Sequence, residues 1–511
     1  MQAFQHMMID IQAHELSADE RAFLREYQPK GICLFRRNIT SNDQCTALTA
    51  ELRDLCGPDV IIATDQEGGS VVRALNVLYS PGNMALGAVD DVSVTQDVAA
   101  ITAGGLRQLG INVNLAPVAD VNNNPANPVI SDRSFGSRSA DVSRHVAAFV
   151  RGMQGEGVAA TLKHFPGHGD TATDSHHDLP RLERSLAELE ATELPPFKAG
   201  IAAGAACVLS FHGILPALDP DMPATLSKAA MTDLLRDQLG FNGVSISDAL
   251  EMAAIKRRYP AAEAASLALQ AGIDMPESNA HATSGANSVK QHLATLTGVQ
   301  QAEQEGRFDP DMLAASAKRL SHLATTYPAK PEPVTRPVED VILIARAAHD
   351  AVTITGNLPQ LAIKQPLVLV AADHQVGGSA SDVIETPARA LMHDLVARGF
   401  TVHPLWYQPD ETASQESVLT SLAAQTDASI LFISASRVRL NTSEVRLAQQ
   451  IAERTQQTEQ AALHVALWNP YSTLDIALPA IISFGFNEAA LEHVVDILQG
   501  APARGKLPIV L

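Results

Sequence analysis

The sequence predicts an α/β protein: a (β/α)8 TIM-type barrel followed by a smaller α/β domain. Three observations carry this. Eight short apolar runs recur with helical stretches between them: HMMIDI near 6, GICLF at 31, VIIATD at 60, INVNLAP at 111, VAATLKHF at 158, ACVLSFH at 206, GVSISD at 243 and GIDMPE at 272. Nearly every run ends in a polar or charged residue. A proline-rich stretch, TTYPAKPEPVTRPVED, then closes the series at 325–340.

The runs read as barrel strands because buried parallel strands are near-continuously apolar, and eight βα units in about 280 residues are what such a barrel needs. The polar run ends matter because barrel active sites are built at the C-terminal ends of strands. Asp65, Lys163, His164, His212 and Asp248 all fall there. Strand ends also carry capping and turn groups, yet several ends rich in His, Lys and Asp are harder to explain that way. The segment 325–340 has no periodicity and reads as a stiff linker, so the expected division is a barrel over 1–324 and a second domain over 341–511. There, PLVLVAAD, FTVHPLWY, ASILFISAS, LHVALWNP and AIISFGF alternate with helices such as SDVIETPARALMHDLVARG, which predicts a largely parallel sheet.

Composition narrows the partners. The 511 residues, 46% of them hydrophobic, exceed one ordinary core and suit two folded domains. With 37 basic against 57 acidic residues, a net charge of -20 and no basic run, nucleic acid is excluded as a partner. Cys33, Cys45, Cys56 and Cys207 follow no CxxC spacing, so buried free thiols are expected rather than a zinc site or disulfides. No stretch approaches the ~18 apolar residues of a membrane span. The first twenty residues have neither a basic leader nor an apolar core, so no membrane partner is expected and the location is read as cytoplasmic.

The densest chemistry lies in KHFPGHGDTATDSHHDLP, 163–180, where a strand end runs into a loop with four His and three Asp. Pro166, Gly167 and Gly169 break regular structure, so these groups ride an irregular excursion over the barrel mouth. Three readings are open. A metal site is one, although the spacing matches no HxxxH or HExxH arrangement. A solvated polar loop is the second. The third is acid/base catalysis, in which Asp174 accepts from one nitrogen of His176 and leaves the other facing substrate. The neighbouring carboxylate would favour the imidazolium, as suits a proton donor.

Two further signals sit at strand ends. In VSISDA (244–249), Asp248 is either a nucleophile or the N-cap of a helix starting at about Ala249. In TDQEGGSVVR (64–73), Asp65 and Arg73 suit the orientation of a hydroxyl-rich ligand beside a glycine turn, or else a strand cap with a surface salt bridge.

Taken in order, DQEGG (65–69), NLAPVADV (114–121), DRSFG (132–136), KHFPGHGD (163–170), DSH (174–176), PATLS (223–227) and ISDALEM (246–252) resemble glycoside hydrolase family 3, in its bacterial β-N-acetylglucosaminidase branch. The resemblance covers most of 1–330. It implies that Asp248 is the nucleophile, that Asp174 and His176 form the acid/base dyad, and that Asp65, Arg73, Arg133, Lys163 and His164 bind sugar hydroxyls; His212 joins this substrate-binding set. It also implies an αβα sandwich for 341–511. Ala249 stands after the nucleophile where the family's β-glucosidases look for Trp, which favours the N-acetylglucosaminidase branch. Three positions depart from the pattern: Ser70 where Arg is common, Ser131 where Gly usually precedes DRSFG, and DMPES where DMLL or DLLL is usual.

The expected reaction is retaining removal of terminal β-linked N-acetylglucosamine by double displacement. His176 protonates the leaving oxygen and then activates water, and no cofactor or metal is needed. The substrate is a small carbohydrate, with peptidoglycan recycling or chitooligosaccharide breakdown as the setting. Since a neutral histidine does not repel anions, phosphorolysis on the same site is one alternative. A non-catalytic sugar-binding protein is the other.

Overall fold

All eight apolar runs become strands of one closed parallel barrel in the computed structural model, which describes residues 1–171, 179–280, 288–335, 337–361, 363, 365–373 and 387–510. In chain order the strands are β1 (Met8–Asp10), β2 (Gly31–Leu34), β3 (Ile61–Thr64), a hairpin of β4 (Gln66–Gly68) and β5 (Val71–Val72), β6 (Val113–Asn114), β7 (Ala159–Phe165), β8 (Cys207–Ser210), β9 (Val244–Ala249) and β10 (Met275–Ser278). The barrel runs β1-β2-β3-β6-β7-β8-β9-β10 and closes β10 on β1. The hairpin stands outside it.

One barrel mouth is sealed with apolar side chains. Met8, Ile61, Val113, Ala159, Val244 and Met275, near the starts of their strands, pack with Leu320, Leu323 and Ala324 of helix Pro310–Thr326. Polar ties hold this plug: Arg319 pairs with buried Asp274 at 2.6 Å, and Asn112 donates to the Tyr327 carbonyl at 2.7 Å. With the N-terminal mouth sealed, the C-terminal strand ends are left to carry ionisable groups. The four cysteines are buried free thiols, as expected.

The chain divides into two units: Met1–Ser80, Val92–Val121 and Ser139–Pro337 form the first, and Pro81–Asp91, Asn122–Arg138 and Val338–Leu511 the second. The second unit thus draws in two segments that a sequential division places with the barrel. Its hold on one of them is specific. Asp132 and Arg437, both 3% exposed, pair at 3.0 Å, the Ser131 hydroxyl donates to the Arg437 carbonyl at 2.7 Å, and the Tyr471 hydroxyl donates to the Asn122 carbonyl.

The second unit is built on a six-stranded sheet of order β11-β16-β15-β14-β12-β13. Its strands are β11 (Thr353–Thr355), β12 (Leu367–Ala372), β13 (Val402–Tyr407), β14 (Ser429–Ser434), β15 (Ala462–Ala466) and β16 (Ala480–Ile482). The five predicted runs are β12 to β16, all parallel; β11, a three-residue antiparallel edge strand, was too short to read. Along β12, Leu367, Leu369 and Ala371 enter one apolar core while Val368 and Val370 enter another. Both faces are therefore covered, as in an αβα sandwich.

Candidate active site

The centre of the barrel mouth is a charge cluster. Lys163, 2% exposed near the end of β7, pairs with Asp65 at 2.7 Å and with Glu67 at 2.6 Å. Arg73 approaches Asp65 at 3.5 Å from just beyond β5. Burial works to raise the Asp65 carboxyl, but the Lys163 and Arg73 charges outweigh it and hold Asp65 below the usual carboxylate range. The hairpin that delivers Glu67 and Arg73 depends on Gly68, whose φ of +95° and whose neighbour Ser80, 2.4 Å from any added Cβ, leave no room for a side chain. Replacing Lys163 with Met removes the cation from buried acids, and we expect a loss of about 3 kcal/mol in denaturant unfolding.

His164 faces a different partner. Its Nδ1 donates to Asp120 at 2.7 Å, and Asp120 also accepts from the His168 backbone N–H at 2.7 Å. Burial works against the Asp120 anion, but the His164 and His168 interactions hold the carboxyl below its usual range. His168 in turn shares a 2.7 Å hydrogen bond with the Thr171 hydroxyl. Gly169 lies so close to the Val121 carbonyl that a Cβ would sit 1.8 Å from it. The start of the His- and Asp-rich loop is thereby fixed as far as Thr171; Asp174 and His176 lie outside the described residues.

Asp248 is the fifth residue of β9, and its Oδ1 accepts from the Ala249 N–H at 2.7 Å. The next helix begins at Ala253 with Met252 as its N-cap, not at about Ala249. The capping reading of Asp248 therefore fails: the strand runs through Ala249, and a turn separates it from the helix. His212 is fully buried. One ring nitrogen meets the Thr225 hydroxyl at 2.8 Å and the other donates to the Ala249 carbonyl at 2.9 Å. One nitrogen thus holds the residue after Asp248 and the other the turn at Thr225, a positioning geometry in place of the sugar contact expected of His212. Arg133 belongs to the second unit, 6% exposed on the turn Ser131–Arg133, where its carbonyl accepts from the Asn83 side chain at 2.7 Å.

Three residues that the sequence did not single out matter here. Glu67 and Asp120 lie within quoted motifs, DQEGG and NLAPVADV, and are the acids that hold Lys163 and His164. Glu277, 3% exposed at the end of β10, occupies the departure DMPES. Burial, and then the charges of Asp248 and Asp65, raise its carboxyl well above the ordinary range. Asp65 directly after β3, Asp248 near the end of β9 and Glu277 near the end of β10 stand at the C-terminal ends of strands of one closed parallel barrel. The departure at Ser131 also has a physical account. Its φ of 42° lies where glycine is favoured, and the hydroxyl bond to Arg437 offsets the strain.

Beneath the loop's first turn lies a further acid. Glu193 is 1% exposed, neither carboxyl oxygen has a hydrogen-bond partner among the described residues, and a Cβ on Gly167 would come within 2.8 Å of its own Cβ. Burial pushes the carboxyl up to about 7. As pH rises from 4.5, the unfolded chain releases this proton while the folded chain keeps it, so stability is lost until about pH 7 and then levels off. Glu193→Gln is expected to remove that slope, and to be about 2–3 kcal/mol more stable than the parent above pH 7, measured by denaturant unfolding at a series of pH values.

Comparison with known proteins agrees with this geometry. Residues 4–322 match the Glycosyl hydrolase family 3 N terminal domain. A Beta-hexosaminidase of Chromobacterium violaceum is 35% identical over 331 residues, 61% of this chain and 92% of that protein. Beta-hexosaminidase A of Pseudoalteromonas piscicida is 34% identical over 60% of this chain, a match that spans only 54% of its own length. Among solved structures, a glycoside hydrolase family 3 β-N-acetylglucosaminidase from Paenibacillus sp. str. FPU-7 superposes with a TM-score of 0.90 at 30% identity, covering 99% of this chain and 98% of that one. The chain belongs to glycosyl hydrolase family 3.

Proposed function

We propose that the chain is a retaining, exo-acting β-N-acetylhexosaminidase that removes terminal β-linked N-acetylglucosamine by double displacement. The observation that carries this reading is that Asp248 and the Asp65–Lys163–Glu67 cluster stand at the C-terminal strand ends of one closed barrel, in a chain that matches a family 3 β-N-acetylglucosaminidase along almost its whole length.

Asp248 is the nucleophile in this reading. It attacks the anomeric carbon as His176 protonates the leaving oxygen, and His176, now neutral, takes a proton from the water that attacks the glycosyl-enzyme. Asp174 orients His176. Asp65, with its charge kept by Lys163 and Arg73, accepts from sugar hydroxyls while Lys163 and Arg73 donate to them. His164 is fixed by Asp120 and donates through its other ring nitrogen, and His212 positions the segment that follows Asp248. The two-domain order of barrel 1–324, linker 325–340 and sandwich 341–511, a cytoplasmic location and a role in cell-wall recycling or chitooligosaccharide breakdown belong to the same proposal. Among the described residues, no helix is long and apolar enough to cross a membrane.

The test is release of nitrophenol from nitrophenyl β-N-acetylglucosaminide beside the β-glucoside, with and without phosphate, in protein treated with a chelator. Fast, acetamido-selective turnover is expected. Turnover that depends strongly on phosphate would assign a phosphorylase instead, and no turnover of either sugar would overturn the enzymatic reading.

A further inference from the structure

Two helices of the second unit, Val338–Ala351 and Glu488–Leu498, pack against each other and bring two histidines together. His493 and Asp496 are three residues apart and so share one helix face. His349 comes from the other helix. One ligating atom from each of the three lies within 4.8 Å of the other two, and this is the one such cluster among the described residues.

The two imidazoles stack with centroids 3.7 Å apart and planes 27° from parallel. His493 is 3% exposed, and among the described residues neither of its ring nitrogens has a hydrogen-bond partner. Buried polar atoms are seldom left so, because they forfeit hydration and gain nothing in return. His349, by contrast, is oriented: its Nδ1 donates to Asp350 at 2.8 Å, which fixes the tautomer and leaves Nε2 as a lone-pair donor. A carboxylate behind an imidazole in this way is the usual support of a metal-binding histidine.

We propose that His349, His493 and Asp496 bind one divalent transition-metal ion that clips the two helices of the second unit. Two imidazoles and one carboxylate suit a borderline ion such as Zn²⁺ and not Ca²⁺ or Mg²⁺, which prefer all-oxygen sets. Asp496 already meets Arg398 at 2.9 Å, but that arginine is 43% exposed, and a solvent-facing ion pair competes weakly with metal ligation. All three ligands belong to the second unit.

The experiment uses the full chain, stripped with a chelator and titrated with Co²⁺ for its visible absorption bands and with Zn²⁺ by calorimetry. One tight equivalent is expected, with a rise in Tm on Zn²⁺ addition. His493→Leu is expected to abolish both, and Asp350→Asn to weaken affinity about 10- to 100-fold. His176→Ala, in the other His- and Asp-rich segment, is expected to leave them intact. If His493→Leu does not fold, His349→Ala, at a partly exposed position, is expected to give the same loss. Failure of the parent chain to bind, undiminished binding by the His493 or His349 variant, or loss in the His176 variant would overturn the assignment.

Discussion

Asp248→Asn is expected to lower turnover of an aryl β-N-acetylglucosaminide by ~10⁴-fold or more while leaving the fold intact. The amide keeps the shape of the carboxylate but cannot form a stable glycosyl ester, so the covalent route closes and only substrate binding and acid catalysis remain. Asp248 is only partly buried, and the hydrogen bond that its Oδ1 accepts from the Ala249 N–H is also available to an amide oxygen. A Tm near that of the parent is therefore part of the expectation. A mechanism-based fluorosugar that accumulates the intermediate is expected to label the peptide carrying Asp248 in the parent and nothing in the variant. Undiminished turnover would remove Asp248 from the role.

The same substitution has a consequence for Glu277. Its carboxyl is raised by burial and by the negative charges of Asp248 and Asp65, so neutralising Asp248 lowers it toward the ordinary range.

How far the sequence disclosed this arrangement depends on the range of the signal. The eight barrel strands were legible because each is a continuous apolar run with a helix after it, and that local pattern survives without tertiary information. Lys163, Asp65 and Asp248 were legible because strand ends converge in a barrel whatever lies between them. Glu67 was not singled out, since its pairing with Lys163 spans 96 positions and arises from the hairpin's fold. The helix start after Asp248 was misplaced by four residues because an acid at a strand end carries the same local signature as an N-cap; only the following turn, Leu250 to Met252, separates the two. His212 looked like a ligand-facing group, but its hydrogen bonds to Thr225 and Ala249 come from residues brought near by folding. The assignment of 81–91 and 122–138 to the second unit rests on contacts such as Asp132 with Arg437, more than 300 positions apart, and no linker composition announces those.

The dyad makes the second large prediction. His176→Ala is expected to reduce kcat/KM about 10²- to 10⁴-fold for a substrate with a poor leaving group, and much less for a dinitrophenyl glycoside, whose departing oxygen needs little protonation. A merely structural histidine would slow both substrates alike. The pH profile supplies an independent reading. A group that acts as a proton donor must be protonated, so the rate it supports is complete below its pKa and is lost as pH rises through it; the basic limb of the parent profile is expected to vanish in His176→Ala. Asp174→Asn should instead shift that limb to lower pH, because loss of the carboxylate removes the charge that favours the imidazolium. Equal slowing of both substrates with the basic limb unchanged would exclude His176 as the acid.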